Sequence, residues 1–229
     1  LIKMKVLENS AYSAKEAAAI LAERTGSDCV QAIGSKFVLY KQKQKESKKG
    51  EGGVKMNVLE AIKKRKSYRD VFKKEPVPRE DLREILEAGT AAPSGCNLQT
   101  TQFIAVDEPE LVKKIGEIYG RAWAMTAPAA ILVLTKYTMA PSGASYHIQD
   151  YSAAAENILL AITAKGYATT WIEGQILGRR AEEIGRLLGV PEDMQVVLYL
   201  PVGIPEKPFK SVARLPFEKR AWFNRYGED

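Results

Sequence analysis

Ala91-Ala92-Pro93-Ser94-Gly95-Cys96-Asn97-Leu98-Gln99 stands between an amphipathic run, Arg79 to Gly89, and an apolar, strand-like segment, Phe103 to Val106. Pro93 fixes one φ angle, Gly95 accepts backbone conformations that other residues resist, and Ser94 and Asn97 carry short side chains that donate and accept hydrogen bonds. Small residues at a helix-to-strand junction let a backbone come close to a flat ligand. The same composition also makes an ordinary loop, so the choice rests on what surrounds it.

Upstream, Met56 opens a helical stretch with Asn57 as its cap and Val58, Leu59 and Ile62 as its buried stripe, and its end delivers Arg65, Lys66, Ser67 and Arg69. Clustered cations with a hydroxyl suit a phosphate, because guanidinium forks match phosphate oxygens in pairs. Cations at a helix C-terminus also follow from the dipole alone. Val77-Pro78 starts the next helix, with Leu82, Ile85 and Leu86 facing a core. Downstream, Phe103 to Val106, Ala129 to Thr135 and Val196 to Val202 read as buried strands, and Pro109 to Tyr119 as a helix. His147 to Lys165 is the longest helical pattern, its Ala153, Ala154, Ala155, Ala161 and Ala164 allowing close packing. Ala168 to Ile172 reads as a strand ending in Glu173-Gly174, and Arg179 to Leu188 as a helix. The class is α+β.

Lys64-Arg65-Lys66-Ser67-Tyr68-Arg69, the Pro93-Ser94 to Asn97 and Gln99 loop, Gly166-Tyr167-Ala168-Thr169-Thr170-Trp171-Ile172-Glu173-Gly174, and a tail with Lys210, Arg214 and Arg220 occur in that order. As an ordered set they resemble the flavin-dependent nitroreductase family over about Met56 to Tyr226. The resemblance implies a nitroreductase-like fold with a mixed central sheet flanked by helices, and a homodimer with flavin between its subunits. It implies FMN as cofactor, NAD(P)H as transient hydride donor, and nitroaromatic, quinone or similar acceptors reduced by a ping-pong cycle. No side chain is then an obligatory catalyst, because the cofactor carries the chemistry.

By that resemblance Arg65, Lys66, Ser67 and Arg69 are the FMN-binding cluster, in which Arg65 and Ser67 hold the phosphate or ribityl end and Arg69 lies nearer the pyrimidine edge of the ring. Pro93, Ser94, Asn97 and Gln99 touch the flavin, and Ile172, Glu173 and Gly174 flank the N5 edge. Glu173 also reads as a plain helix-start carboxylate. Arg214 aligns with a phosphate-binding arginine, and Lys210 substitutes for a lysine that relatives carry where this chain has Val212. Relatives often have Pro-Trp where this chain has Thr100-Thr101, which alters the substrate side. A flavin sensor or a dehalogenase-type relative would share these features.

Other chemistries find little support. Cys29 and Cys96 have no paired spacing, and His147 is the only histidine, so no metal site or disulfide is expected. Ser142, His147 and Asp150 supply the residue types of a hydrolytic triad without a nucleophile elbow. No Gly-x-Gly-x-x-Gly fingerprint follows a strand. No apolar run is long enough to span a membrane and the start lacks a signal-peptide pattern, so a cytoplasmic protein is expected.

The net charge of +6 is concentrated at the front, where residues 1–55 hold 11 Lys/Arg against 6 Asp/Glu. Residues 1–40 read as β-α-β-β: a strand at Leu1 to Val6, and a helix from Ser13 to Arg24 with Ala17, Ile20 and Leu21 on one face. A hairpin of Cys29 to Ile33 and Phe37 to Tyr40 follows. Leu1 to Val6, Leu21 to Gly26 and Gln31 to Tyr40 resemble the second half of the YhbY-like RNA-binding domain. The first half and its glycine-containing loop are missing. Two readings stay open: an RNA-associated protein with the flavin-type domain as scaffold or sensor, or a basic extension, preferred here, packed on the main domain or a partner subunit. Residues 41–55 read as a lysine/glycine-rich linker, and 56–229 as the FMN-binding domain.

Overall fold

Apolar residues that recur at strand and helix spacing pull the chain into two separate compact units, Leu1–Val54 and Lys55–Asp229. The computed structural model describes residues 2–6, 10–25, 28–40, 56–209 and 213–228. The expected linker, 41–55, and Lys210 lie outside the described residues.

In the front unit, β1 (Ile2–Lys5), α1 (Ala14–Thr25), β2 (Asp28–Ile33) and β3 (Lys36–Tyr40) form an antiparallel sheet of order β1-β3-β2 with one helix. Ser13 and Glu16 cap α1 reciprocally: the Glu16 amide donates to Ser13 Oγ (3.3 Å) and the Ser13 amide to Glu16 Oε2 (2.9 Å). Of the expected stripe of Ala17, Ile20 and Leu21, Ala17 and Leu21 do pack against the core, at its edge. Ala14 and Ala18 are the buried residues, packed with Phe37, while Ala17 and Leu21 are only partly covered. Phe37 needs small neighbours, so the alanines turn inward.

The main unit is built on an antiparallel sheet of order β4-β5-β6, from β4 (Gln102–Val106), β5 (Ala129–Thr135) and β6 (Gln195–Val202). All of β5 is buried, and its side chains alternate between two cores. Ile131 and Val133 pack with Leu82 and Ile85 of α3 (Arg79–Thr90) and Ile158 and Ile162 of α5 (His147–Ala164). Leu132 and Leu134 pack with Val112 and Ile115 of α4 (Pro109–Tyr119) and Ile184 of α6 (Arg179–Leu188). Helices therefore cover both faces, which is why the strand is a continuous apolar run; each such fully buried side chain contributes about 1.5–3 kcal/mol. α3 and α5 meet closely at Gly89, where a Cβ would lie 2.8 Å from Ile158 Cδ1.

Ala168 to Ile172 extends this sheet beyond β6, though as isolated bridges, Ala168 to Gly203 and Ile172 to Tyr199, rather than the expected continuous strand. Midway between those bridges Pro201 stands opposite Thr170. Proline has no N–H to give, so the ladder breaks there. On the far side of the segment Ser67 pairs with Thr169 in parallel, which makes the arrangement mixed. Among the described residues no helix is long and apolar enough to cross a membrane.

α2 (Val58–Lys64) departs from expectation. Asn57 caps it as expected, its Oδ1 accepting from the Glu60 amide at 3.0 Å while Glu60 Oε2 accepts from the Asn57 amide at 3.1 Å. Its expected buried stripe is exposed instead: Val58 64%, Leu59 64% and Ile62 43%, with Ala61 alone inside. A short helix that packs against α5 with Ala61 as its buried residue leaves its larger side chains outward.

Candidate functional site

The cation segment is shaped by one buried anchor. After α2 the chain runs extended, so Tyr68 points inward and its neighbours Ser67 and Arg69 outward. Tyr68 donates its amide to Thr169 O (2.9 Å) and its hydroxyl to Val71 O (2.6 Å), and its ring meets Phe72 edge-on at 5.1 Å. Lys66, Ser67 and Arg69 are left exposed, and Lys66 and Arg69 form no ion pair among the described residues. Arg65 is half-buried, with Nε 3.7 Å from Glu156 Oε1 on α5. Arg214 of the tail donates from Nη2 to the Arg65 carbonyl at 3.5 Å. Thus Arg65 to Arg69, the Thr169 segment and Arg214 come together.

The Pro93 to Gln99 loop is held from α5. The Asp150 carboxylate, 4% exposed, accepts from the Gly95 amide at 2.7 Å and from Thr100 Oγ1 at 3.2 Å. Tyr146 packs against Gly95 so closely that a Cβ there would sit 2.4 Å from its ring. Within the loop Cys96, Asn97 and Gln99 adopt φ of 52°, 55° and 49°, conformations uncommon for residues with a side chain. Ser94 Oγ accepts from the Gln99 amide at 3.1 Å and closes the loop on itself.

The third patch follows Ile172, which is buried and lies in the α4–α6 core. Glu173 is not in the first turn of α6, which carries Glu182 instead. Its Oε1 accepts from Tyr151 Oη at 2.6 Å and its Oε2 from Trp171 Nε1 at 2.8 Å. Burial, together with the hydrogen bond to Glu173, pushes the Tyr151 phenol up to about 12, so it stays a donor. The Glu173 carbonyl accepts from Ile176 N at 2.8 Å, closing a turn in which the Gly174 amide has no acceptor among the described residues. Space beyond Gly174 is open: a Cβ there would meet nothing within 4 Å.

The side chains that hold these loops, Asp150 and Tyr151, are not among the expected cofactor residues. Asp150 and Tyr151 are consecutive on α5 and reach back 55 positions to Gly95 and forward 22 to Glu173. No local pattern marks such contacts. The residue types of a hydrolytic triad are not brought together: Ser142 pairs with Tyr146, His147 Nδ1 with Ser145 Oγ, and Asp150 with Gly95 and Thr100. No group of residues able to hold a metal ion occurs among the described residues. A cavity of about 140 Å³ is lined by Pro93, Ser94, Gln99, Thr101 and Asp150, among others. Larger cavities, of about 530 and 770 Å³, lie against α6 and are lined by none of the expected cofactor residues.

With helices packed over both faces of a sheet the fold is α+β, and Lys66 and Arg69 stand exposed on it with no ion pair among the described residues. The sequence matches the Nitroreductase family over residues 62–124 and 117–204, and the chain belongs to that family. Residues 1–41 match the CRS1 / YhbY (CRM) domain. A Methanothermobacter thermautotrophicus protein named as an NADH dehydrogenase/NAD(P)H nitroreductase is 37% identical over 153 residues, 66% of this chain and 78% of that protein. The FMN reductase [NAD(P)H] of Bacillus subtilis is 30% identical over 62% of this chain and 60% of its own length. A Bacteroides thetaiotaomicron crystal structure bearing the NADH dehydrogenase/NAD(P)H nitroreductase name superposes with a TM-score of 0.64 at 27% identity, over 74% of this chain and 98% of that one.

Proposed function

We propose that this chain is an NAD(P)H-dependent FMN oxidoreductase that works as a homodimer, with the flavin between subunits, on nitroaromatic, quinone or similar small acceptors. When bound, FMN would supply the hydride-transfer chemistry between NAD(P)H and the acceptor, in a ping-pong cycle. The observation that carries the reading is exposed Gly174, fixed in a turn, with no acceptor for its amide among the described residues and nothing within 4 Å of where a Cβ would stand. The exposed Lys66, Ser67 and Arg69 fit the phosphate-bearing end, as does Arg65 with Arg214 beside it.

Each residue then has a physical task. Arg65, Lys66, Ser67 and Arg214 bind the phosphate and ribityl chain, and Arg69 offers positive charge to the pyrimidine edge, where negative charge grows on reduction. Pro93, Ser94, Asn97 and Gln99 form the wall, and Ile172 sets the strand end that carries Glu173 and Gly174. Glu173 acts through its main chain, since both its carboxylate oxygens are already engaged. Lys210 adds a further cation to the tail. The exposed Val58, Leu59 and Ile62, and Phe217, Phe223 and Tyr226 in the tail, supply apolar surface for a second subunit.

Initial-rate kinetics with NADH and a quinone test the cycle. Parallel double-reciprocal lines are expected; intersecting lines overturn it. A second reading belongs to residues 1–40, which match the CRS1 / YhbY (CRM) domain: an RNA-associated protein with the flavin-type domain as scaffold or sensor, set against the preferred basic extension. Salt-dependent RNA binding that disappears on deleting residues 1–55 supports that reading, and unchanged weak binding counts against it.

A further inference from the structure

We infer that Asp150 and Tyr151 are positioning residues that set the spacing of the two loops facing the ring, an inference that rests on the FMN reading above. Neighbours on a helix diverge by about 100°, so one turn of α5 serves both loops. Asp150 reaches the Gly95 amide and the Thr100 hydroxyl, at either end of the loop that holds Cys96, Asn97 and Gln99 at positive φ. Left-handed conformations of residues with side chains persist where surrounding contacts fix them. Asp150 is buried and meets these two donors, with no ion pair among the described residues, an arrangement whose gain is the fixed geometry of the loop.

Tyr151 does the same for the other loop. Its hydroxyl and Trp171 Nε1 take the two oxygens of Glu173, whose carbonyl in turn receives the Ile176 and Leu177 amides at 2.8 and 3.3 Å. That double hold fixes the turn that presents the Gly174 amide. A shift of either side chain would displace one loop relative to the other. Misplacement by about 1 Å can lower a reaction rate about 100-fold.

The test uses the full chain loaded with FMN, as Asp150→Asn and Tyr151→Phe. Amide hydrogen exchange, read with and without FMN, is expected to rise in residues 94–100 for the first variant and 172–177 for the second. Single-turnover reduction by NADH is expected to slow about tenfold or more in each, with the KM for NADH changed by less than about twofold. Thr100→Val and Trp171→Phe remove the opposite partners of the same contacts and report in the same direction should either first variant fail to fold. Unchanged exchange together with rates within about twofold of wild type overturns the inference. A wild-type protein that takes up no FMN overturns the underlying reading instead, so the two failures are distinguishable.

Discussion

The guanidinium of Arg214 donates to the main-chain carbonyl of Arg65 at 3.5 Å across 149 positions of sequence. The tail cation and the helix-end cation therefore share one place in a single chain. A hydrogen bond to a charged group contributes about 1.5–3 kcal/mol, so losing both guanidinium groups should weaken FMN binding about 100-fold or more. Arg65→Ala with Arg214→Ala is expected to purify colourless. A double variant that remains fully yellow contradicts the phosphate assignment.

Two glycines separate packing from function. A Cβ at Gly95 would lie 2.4 Å from Tyr146 Cδ2, so Gly95→Ala should lower stability by about 1–3 kcal/mol in thermal unfolding. At Gly174 a Cβ meets nothing within 4 Å, and Gly174→Ala should leave stability within about 0.5 kcal/mol. Its methyl group would nonetheless stand where the proposed ring lies, so flavin reduction by NADH should slow. Full activity in Gly174→Ala would place the ring elsewhere.

An acid-sensitive contact joins α3 to the end of α5. Lys165 Nζ lies 2.7 Å from Asp81 Oδ1 and 2.8 Å from Glu84 Oε2, and Tyr167 donates to Asp81 at 2.6 Å. Burial disfavours the Asp81 carboxylate, but the hydrogen bonds from Lys165 and Tyr167 and the Lys165 charge outweigh it and hold the group below its ordinary value. Its folded pKa being lowered, the contribution is present above the ordinary carboxylate range and is lost as pH falls through the lowered value. Asp81→Asn should cost about 1–3 kcal/mol in urea unfolding near neutral pH, with the difference closing in strong acid.

The exposed stripe of α2 predicts an interface. Leu59→Glu is expected to shift the protein toward monomer in light scattering and to reduce FMN retention, since the proposed flavin needs both subunits. A wild-type protein that is monomeric and fully loaded with FMN contradicts that arrangement.

Much of the fold was legible because its signals are local. The apolar runs at Phe103 to Val106, Ala129 to Thr135 and Val196 to Val202 become β4, β5 and β6, and the Asn57 cap opens α2. Periodicity reports which side chains seek cover but not what supplies it, and so Val58, Leu59 and Ile62 were expected in the core of one chain. The broken ladder at Ala168 to Ile172 depends on Pro201, a residue of another strand. In the site, residue types marked the loops, whereas Asp150 and Tyr151 act over distances in sequence that no spacing rule reaches.

Anaerobic titration of the purified full-length protein with NADH, followed by visible absorption, tests the central claim most directly. The expected result is a flavin spectrum that bleaches with about one equivalent of NADH per FMN and returns on adding a quinone. A protein that stays colourless after incubation with FMN, or a bound flavin that NADH leaves unchanged, contradicts it.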